Sequence, residues 1–196
     1  MKRLLLALSV VISPFAVSAE MSAMFAGGCF WCMESAYQEH EGVLDVVSGF
    51  TGGTLENPTY SGDHSGHFEA VKVVYDSDAI SYAELVDLFW VNIDPFDNKG
   101  QFCDKGFSYR TALFPANAGE REIAEASLAR VAERFPNQTV YTEIRDANRF
   151  WPVETYHQDY YIKNPVRYTF YRWNCGRDQR LDAIWGDDAR GGAEAH

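Results

Sequence analysis

The order in which strand-like and helix-like patterns follow one another is the strongest constraint on the fold. Short apolar or alternating segments predict strands, and helical spacing with capping signals predicts helices. The resulting order, β-α-β-β-α-β-α-β-α, is typical of an α+β protein. We expect a single-domain two-layer sandwich in which helices pack on a mixed β-sheet. A chain of 196 residues is long enough to bury a core of this kind.

The element boundaries follow from turn and capping residues. Strands are predicted over residues 21–26, 43–49, 69–75, 109–114 and 139–144, and helices over residues 30–40, 81–92, 117–134 and 154–162. Ser81 and Glu84 form the pattern of a capping box at the second helix. Glycine-bearing loops over residues 51–67 and 94–107 remain, and a loop as long as the first is usually functional or disordered in a compact domain.

The first nineteen residues have the pattern of a secretory signal peptide. Lys2 and Arg3 precede an apolar run over residues 4–12, and small residues at 17–19 form a cleavage site. The alternative, a buried N-terminal element, is less typical of this pattern. The predicted organisation is therefore a signal peptide at 1–19, one domain at 20–186 and a frayed tail at 187–196.

The charge of the chain bears on its partners and its compartment. There are 17 basic and 28 acidic residues, and loss of Lys2 and Arg3 with the signal peptide leaves 15 − 28 = −13. Such an acidic surface repels phosphate backbones, so nucleic acid is not an expected partner. We expect an exported, periplasmic monomer without a stable membrane anchor after cleavage, in a compartment where disulfides persist.

A cysteine stands where the first predicted strand turns into the first helix. Gly27 and Gly28 form the turn, and Cys29 lies at the helix N-terminus, where free N–H groups and the helix dipole favour a thiolate. Cys32 follows three residues later on the same helix face. A Cys-x-x-Cys pair in this setting indicates redox chemistry, although two buried structural cysteines would produce the same pattern.

The residues around Cys29 resemble a known active-site signature. Gly28-Cys29-Phe30-Trp31-Cys32, followed by Glu34, is similar to the G-C-F-W-[GC]-x-E motif of the type A peptide-methionine (S)-S-oxide reductases. Further blocks resemble that family in the same order, at residues 52–53, 57–60, 66–71, 104, 109–110, 157–159 and 163–165. The resemblance spans residues 24–165, and an ordered set of this kind is very specific.

The resemblance implies a role for each matching residue. Cys29 resembles the nucleophile that attacks the sulfoxide sulfur, and Glu69 the acid that protonates the oxygen. Tyr60 and Tyr109 resemble hydroxyl donors to that oxygen. The family's other site positions correspond to Phe30 and Trp31, which resemble the pocket for the S-methyl group, and to Asp104, a further polar member of the site.

General chemistry supports these roles. A thiol reduces a sulfoxide only when the oxygen is protonated or strongly hydrogen-bonded, so a thiolate, an acid and hydroxyl donors must meet at one apolar pocket. A carboxylic acid surrounded by aromatic residues can keep its proton near neutral pH. No cofactor and no metal are expected. The substrate is then methionine sulfoxide in peptides or proteins; reduction of the free amino acid is left open.

A second cysteine must resolve the sulfenic acid that forms on Cys29. Cys32 is favoured by proximity, and Cys103 and Cys175 are the other candidates. Many relatives carry glycine at the position of Cys32 and use cysteines in a glycine-rich tail. This chain departs from that pattern at Cys32 and in its C-terminal segment, so the usual relay is not carried over to it. Cys103 and Cys175 could form a structural disulfide, provide a second relay step or remain free thiols. The resulting disulfide implies a thioredoxin-like electron donor.

Two other classes remain possible from sequence. A thioredoxin-like dithiol oxidoreductase would also carry Cys-x-x-Cys at a helix start, but it does not require Phe30, Trp31 and the Glu69 block. A metal module would need paired ligand clusters, whereas Cys103 and Cys175 are solitary. His64 and His67 lie in the long loop, where solvated histidines are commoner than ligands.

Overall fold

The structure, a computed structural model, describes residues 20–192. Its strands are β1 (Glu20–Gly27), β2 (Val43–Thr51), β3 (Phe68–Asp76), β4 (Gly100–Gln101), β5 (Asp104–Lys105), β6 (Thr111–Leu113), β7 (Glu143–Ile144) and β8 (Trp151–Pro152). Its α-helices are α1 (Phe30–Gln38), α2 (Tyr82–Trp90), α3 (Ala118–Arg134), α4 (Tyr160–Lys163), α5 (Pro165–Asn174) and α6 (Arg177–Trp185). Short 3-10 helices lie at Phe107–Tyr109, Thr155–His157 and Gly186–Gly192.

The central sheet has six strands in the order β7-β6-β1-β3-β2-β8. The β6–β7 pair is parallel and the other pairs are antiparallel, so the sheet is mixed. Helix α1 packs on β2 and β3, while α2 contacts β1 and α3. This confirms the predicted single-domain α+β fold, with a mixed sheet and several helices.

Aromatic side chains fill the core between the sheet and the helices. Phe25 of β1 is fully buried, and its ring stacks against Tyr37, Tyr82 and Phe89 with centroid distances of 5.2, 6.1 and 5.9 Å. Burial of one such side chain contributes roughly 2–3 kcal/mol through the hydrophobic effect. The core therefore anchors β1, the strand that leads into the junction at Cys29.

The predicted capping box at α2 is confirmed. The Ser81 hydroxyl accepts a hydrogen bond from the Glu84 N–H at 3.3 Å, and the Glu84 carboxylate accepts one from the Ser81 N–H at 2.8 Å. Asn117 caps α3 in a similar way by accepting from the Glu120 N–H at 3.0 Å. Local polar pairing thus sets the starts of these two helices, as the sequence pattern predicts.

The segment after residue 138 differs from the prediction. The strand expected at 139–144 is reduced to β7, and the helix expected at 154–162 is replaced by a 3-10 turn and the short helix α4. Gln158 interrupts the helix because its side chain bonds the backbone N–H and C=O of Ser48 in β2, at 2.9 and 2.8 Å. Asp159 then adopts a left-handed conformation. Helix α5, which follows, was not predicted.

The two ends of the chain lie partly outside the described residues. The predicted signal peptide at 1–19 falls there, as do residues 193–196. Of the tail from Asp187, which the sequence predicts to be frayed, the described part up to Gly192 contains 3-10 turns interrupted by non-helical backbone at residues 189–191. Ala189 is buried there, and Arg190 pairs with Asp182 at 2.7 Å. Within residues 20–192, the helices are all too short or too polar to span a bilayer.

Candidate active site

The junction between β1 and α1 is held in a shape that only glycine fits well. Gly28 has a φ of +84°, and a Cβ there would lie 2.5 Å from the Cβ of Gln101. Cys29 is the N-cap of α1, and its carbonyl accepts from the N–H groups of Cys32 and Met33 at 3.1 and 3.3 Å. Cys32 therefore lies one helical turn beyond Cys29.

A small cavity of about 50 Å³ opens beside Cys29. It is lined by residues from the helix α1, the loop after β2, the strands β3 and β5, a 3-10 turn and the helix α5. These residues are Cys29, Phe30, Trp31, Tyr60, Glu69, Asp104, Tyr109 and Tyr171. The structure thus brings together the residues that the sequence places in the catalytic and substrate-binding groups, and it adds Tyr171.

Glu69 is a buried carboxyl group in the wall of this cavity. It lies opposite Phe50 in the β2–β3 register and is 2% exposed. Burial raises its pKa to about 8. Hydrogen bonds from the Phe30 N–H (3.1 Å) and from Tyr109 favour the charged form and offset part of this increase. The negative charge of Asp104 raises the pKa further. Glu69 is therefore mostly protonated at neutral pH and can donate a proton.

Two tyrosine hydroxyls accompany Glu69. Burial raises the pKa of Tyr60 to about 12 and raises that of Tyr109 as well, so both remain neutral hydrogen-bond donors. Tyr109 lies at the end of a 3-10 turn and bonds Glu69. Tyr60 lies in the loop after β2, and its backbone N–H reaches the Glu154 carboxylate at 3.3 Å.

Aromatic rings form the apolar wall. The Trp31 ring stacks on Tyr160 at a centroid distance of 3.8 Å and an interplanar angle of 8°, and His157 lies against the same ring at 5.6 Å. Phe30 is fully buried and packs edge-on against Phe50. These contacts pack the two rings that form an apolar side of the cavity beside Cys29.

The two cysteines of the motif are free thiols that share one environment. Cys29 and Cys32 are buried, at 5% and 1% exposure. Burial raises the pKa of Cys29, and its hydrogen bond to Cys32 adds to the effect. That same bond lowers the pKa of Cys32 to about 6, with help from the positive charges of Arg177 and Arg172. The two thiols are thus coupled: burial disfavours ionisation of Cys29, whereas the contact with Cys29 and the two arginines favour a negative charge on Cys32.

Comparison with known proteins identifies the family of this chain. The sequence profile of the family described as Peptide methionine sulfoxide reductase matches residues 21–189. The chain belongs to the peptide methionine sulfoxide reductase family. The protein is thus an oxidoreductase of the MsrA type, which reduces methionine sulfoxide.

Individual relatives cover most of the chain. Peptide methionine sulfoxide reductase MsrA 2 of Rhizobium meliloti (strain 1021) is 43% identical over 185 residues, which are 93% of this chain and 92% of the relative. MsrA 2 of Caulobacter vibrioides is 49% identical over 168 residues, which are 84% and 85% of the two chains.

Solved structures of relatives share the fold. Methionine sulfoxide reductase A of Corynebacterium diphtheriae has a TM-score of 0.66 at 31% identity, covering 75% of this chain and 76% of that one. Reduced Mxr1 of Saccharomyces cerevisiae has a TM-score of 0.67 at 26% identity, covering 80% and 91%. A further structure of Mxr1, in complex with Trx2, is 20% identical with a TM-score of 0.51, covering 76% and 90%.

This reductase has a disulfide between its other two cysteines. Cys103 precedes β5 and Cys175 follows α5, and they are joined with a Cα–Cα distance of 4.8 Å. The sequence left three arrangements open: a structural disulfide, a second relay step or two free thiols. The disulfide excludes two free thiols. Cys103 is solvent-exposed, whereas the motif cysteines are buried.

Tyr171 is the cavity residue that sequence reasoning missed. Its hydroxyl donates a hydrogen bond to Asp104 Oδ2, and its ring meets Trp31 edge-on at 5.9 Å. Its position one helical turn before Cys175 was an available signal, but it could be used only if helix α5 had been predicted. Arg177 was missed as well, although it is buried and donates to the carbonyl of Asn92 at 2.8 Å.

The two histidines of the long loop contact backbone groups of that loop. His67, for which a solvated position was favoured, is fully buried; its ring accepts from the Gly53 N–H at 3.3 Å and lies 2.8 Å from the Leu55 carbonyl. His64 contacts the Thr59 carbonyl at 3.1 Å. Both therefore shape the loop that carries Tyr60 in this reductase.

Proposed function

We propose that the protein reduces the S epimer of methionine sulfoxide in peptides and proteins, with Cys29 as the nucleophile and Glu69 as the acid. The observation that carries this proposal is a buried carboxyl group, whose pKa burial raises to about 8, in the same small cavity as a cysteine sulfur. Neither group alone would suffice, because the sulfoxide sulfur becomes electrophilic only as its oxygen gains a proton.

The first step transfers one oxygen atom. Glu69 gives its proton to the sulfoxide oxygen while the hydroxyls of Tyr60 and Tyr109 donate hydrogen bonds to it. The Cys29 sulfur, after losing its own proton, attacks the sulfoxide sulfur. The oxygen then moves to the Cys29 sulfur while the substrate's sulfur–oxygen bond and the new sulfur–sulfur bond break, which leaves methionine and a sulfenic acid on Cys29. Cys29 is oxidised by two electrons and the substrate is reduced by two.

The substrate's methyl group is proposed to sit against Phe30 and Trp31. These rings are fixed by Phe50 and Tyr160 respectively, so the pocket is preformed. An apolar wall favours a methyl group and also desolvates the oxygen next to Glu69. Asp104 also lines the cavity, and its carboxylate accepts a hydrogen bond from the Tyr171 hydroxyl.

The sulfenic acid is proposed to be resolved by Cys32. Its sulfur is hydrogen-bonded to Cys29, and its lowered pKa supplies the thiolate that attack requires. The Cys32 sulfur attacks the Cys29 sulfur, a disulfide forms, and the hydroxyl leaves as water after taking up a proton. Cys103 and Cys175 are weaker candidates because they are already joined to each other.

A thioredoxin-type dithiol protein is the proposed electron donor. Thiol–disulfide exchange with a dithiol returns Cys29 and Cys32 to thiols and leaves the donor as a disulfide. The relative Mxr1 has been solved in complex with Trx2.

We further propose that the enzyme repairs oxidised exported proteins in the periplasm. The basic start, apolar run and small-residue cleavage site over residues 1–19 support export. The number of chains in the active form is proposed to be one. Cell fractionation together with N-terminal sequencing tests the location: the mature chain should begin at Glu20 in the periplasmic fraction, whereas an uncleaved chain in the cytosol would contradict it.

Epimer-resolved assays with cysteine variants test the chemistry. The full chain should convert a peptide with methionine-S-sulfoxide and leave the R epimer unchanged. Cys29→Ser should abolish conversion. Cys32→Ser should form one equivalent of methionine per chain and then stop when thioredoxin is the donor, because the sulfenic acid is not resolved.

Mass spectrometry of the reacted protein provides the control, because it identifies the cysteines that have formed disulfides. After one turnover, a Cys29–Cys32 disulfide should appear in the wild-type chain, and the Cys103–Cys175 disulfide should be unchanged. Conversion of the R epimer, or activity of Cys29→Ser, would refute the proposal. A disulfide between Cys29 and either Cys103 or Cys175 would refute only the proposed role of Cys32.

A further inference from the structure

We infer that Tyr171 is a further catalytic residue of this reaction, whose hydroxyl passes the proton of the Cys29 thiol to Asp104 as Cys29 attacks. The inference rests on the proposed function, because it assigns a step to the same site. It concerns the fate of the thiol proton, which the roles of Glu69 and the other two tyrosines leave unassigned.

The geometry places the Tyr171 hydroxyl between the two groups. Tyr171 lines the cavity together with Cys29 and Asp104. Its hydroxyl donates a hydrogen bond to Asp104 Oδ2, and its interaction with the Cys29 sulfur lowers the pKa of that thiol against the effect of burial. The edge-on contact with Trp31 fixes the ring. The Tyr171 hydroxyl is thus bonded to the Asp104 carboxylate and lies in the same small cavity as the Cys29 sulfur, with which it interacts.

A disulfide bond lies next to both Asp104 and Tyr171 and stabilises their arrangement. Cys103 is adjacent to Asp104 in sequence, and Cys175 lies one turn after Tyr171, where its N–H donates to the Tyr171 carbonyl at 2.9 Å. The Cys103–Cys175 disulfide therefore ties the strand that carries Asp104 to the helix that carries Tyr171. Such a tie holds a donor and its acceptor in register better than packing alone.

The proton balance of the step is simple. The Cys29 S–H bond breaks and a new O–H bond forms on Tyr171, while the original Tyr171 O–H bond breaks and one forms on Asp104. Tyr171 is neutral before and after, Asp104 becomes a carboxylic acid, and the sulfur electron pair forms the bond to the sulfoxide sulfur. Burial raises the pKa of both Cys29 and Asp104, which makes a relay useful and Asp104 a competent acceptor.

Other ionisable groups surround Asp104 and define the alternatives. Lys105 of β5 and Arg177 of α6 favour its carboxylate form. Glu69 of β3 stays protonated and supplies the other proton of the reaction. The competing acceptor is the sulfur of Cys32 in α1, which is hydrogen-bonded to Cys29. The two routes differ in whether loss of the Tyr171 hydroxyl slows the reaction.

The test is the first turnover of Tyr171→Phe in the full chain. Rapid-quench measurement of methionine formed from a methionine-S-sulfoxide peptide should show a rate about 10²-fold lower than wild type, the lower end for a lost general base. Substrate affinity should be unchanged, since the phenyl ring still packs on Trp31. The acid limb of the pH–rate profile, which reports deprotonated Asp104, should disappear in the variant.

Two further variants separate catalysis from structure. Tyr141→Phe, at a surface position that does not line the cavity, should keep the wild-type rate. The double variant with Tyr171→Phe and Asp104→Asn should react no more slowly than the slower single variant, because each substitution alone already interrupts the same proton path. An unchanged first-turnover rate in Tyr171→Phe, or losses that multiply in the double variant, would overturn the relay. Absence of activity in the wild-type chain would instead refute the proposed function.

Discussion

Replacing Glu69 by glutamine separates its chemical role from its effect on stability. Glutamine keeps the size of the side chain and can still accept the Phe30 N–H, but it has no acidic proton. A positioned general acid typically contributes about 10²–10⁴-fold to a rate, so kcat/KM for methionine-S-sulfoxide peptides should fall by that amount. The basic limb of the wild-type profile, expected near pH 8 from the pKa of Glu69, should be lost.

The same substitution should make the protein more stable at alkaline pH. The native carboxyl holds its proton up to a pKa of about 8, whereas the unfolded chain releases it near 4.5. Native stability therefore falls as pH rises from 4.5 to 8. The difference corresponds to roughly 5 kcal/mol above pH 8 and roughly 3 kcal/mol at pH 7, as upper estimates. Glutamine removes this pH-dependent cost.

Urea unfolding of both chains at pH 5, 7 and 9 provides the measurement. The stability of Glu69→Gln relative to wild type should increase with pH over this range. A constant difference would show that the carboxyl is not held neutral in the native state. A variant that keeps both the wild-type rate and the basic limb would remove Glu69 from the mechanism.

Two predictions concern the scaffold of the site. Gly28→Ala should lower the free energy of unfolding by about 2–4 kcal/mol, because φ is positive there and the new Cβ would lie 2.5 Å from Gln101. The control Gly119→Ala, whose Cβ would have its nearest neighbour at 3.4 Å, should raise that free energy by about 0.5–1 kcal/mol, and equal effects of the two variants in urea titrations would contradict the proposed strain at Gly28. Loss of the disulfide in Cys103→Ser with Cys175→Ser should cost about 2–4 kcal/mol, since the bond spans 72 residues, and an unchanged unfolding midpoint would contradict it.

Local sequence signals predicted those parts of the molecule in which neighbouring residues act on each other. The capping box of Ser81 and Glu84 sets the start of α2 through two hydrogen bonds within one turn. Gly28 allows the strand-to-helix turn because of its own backbone freedom. Such signals need no distant partner, and for this reason the sequence order of strands and helices predicted the fold class.

Distant partners decided the parts that the sequence did not predict. Gln158 breaks a segment with helical spacing because it bonds Ser48 of β2, 110 residues away. Helix α5 carries exposed Val166, Phe170 and Trp173, so its apolar pattern does not mark a buried face. Tyr171 on that helix therefore gave no sign of its place in the cavity.

The chemistry of Cys29 shows the same division. Sequence alone determined that a cysteine stands at a helix N-terminus with a second cysteine one turn away and an acid block on another strand. The tertiary structure decided how the pKa values of the two sulfurs are shifted, because burial and the charges of Arg177 and Arg172 depend on elements that meet only in the folded chain. It also decided that Glu69 keeps its proton, since desolvation is a property of the packed cavity and not of the strand that carries the residue.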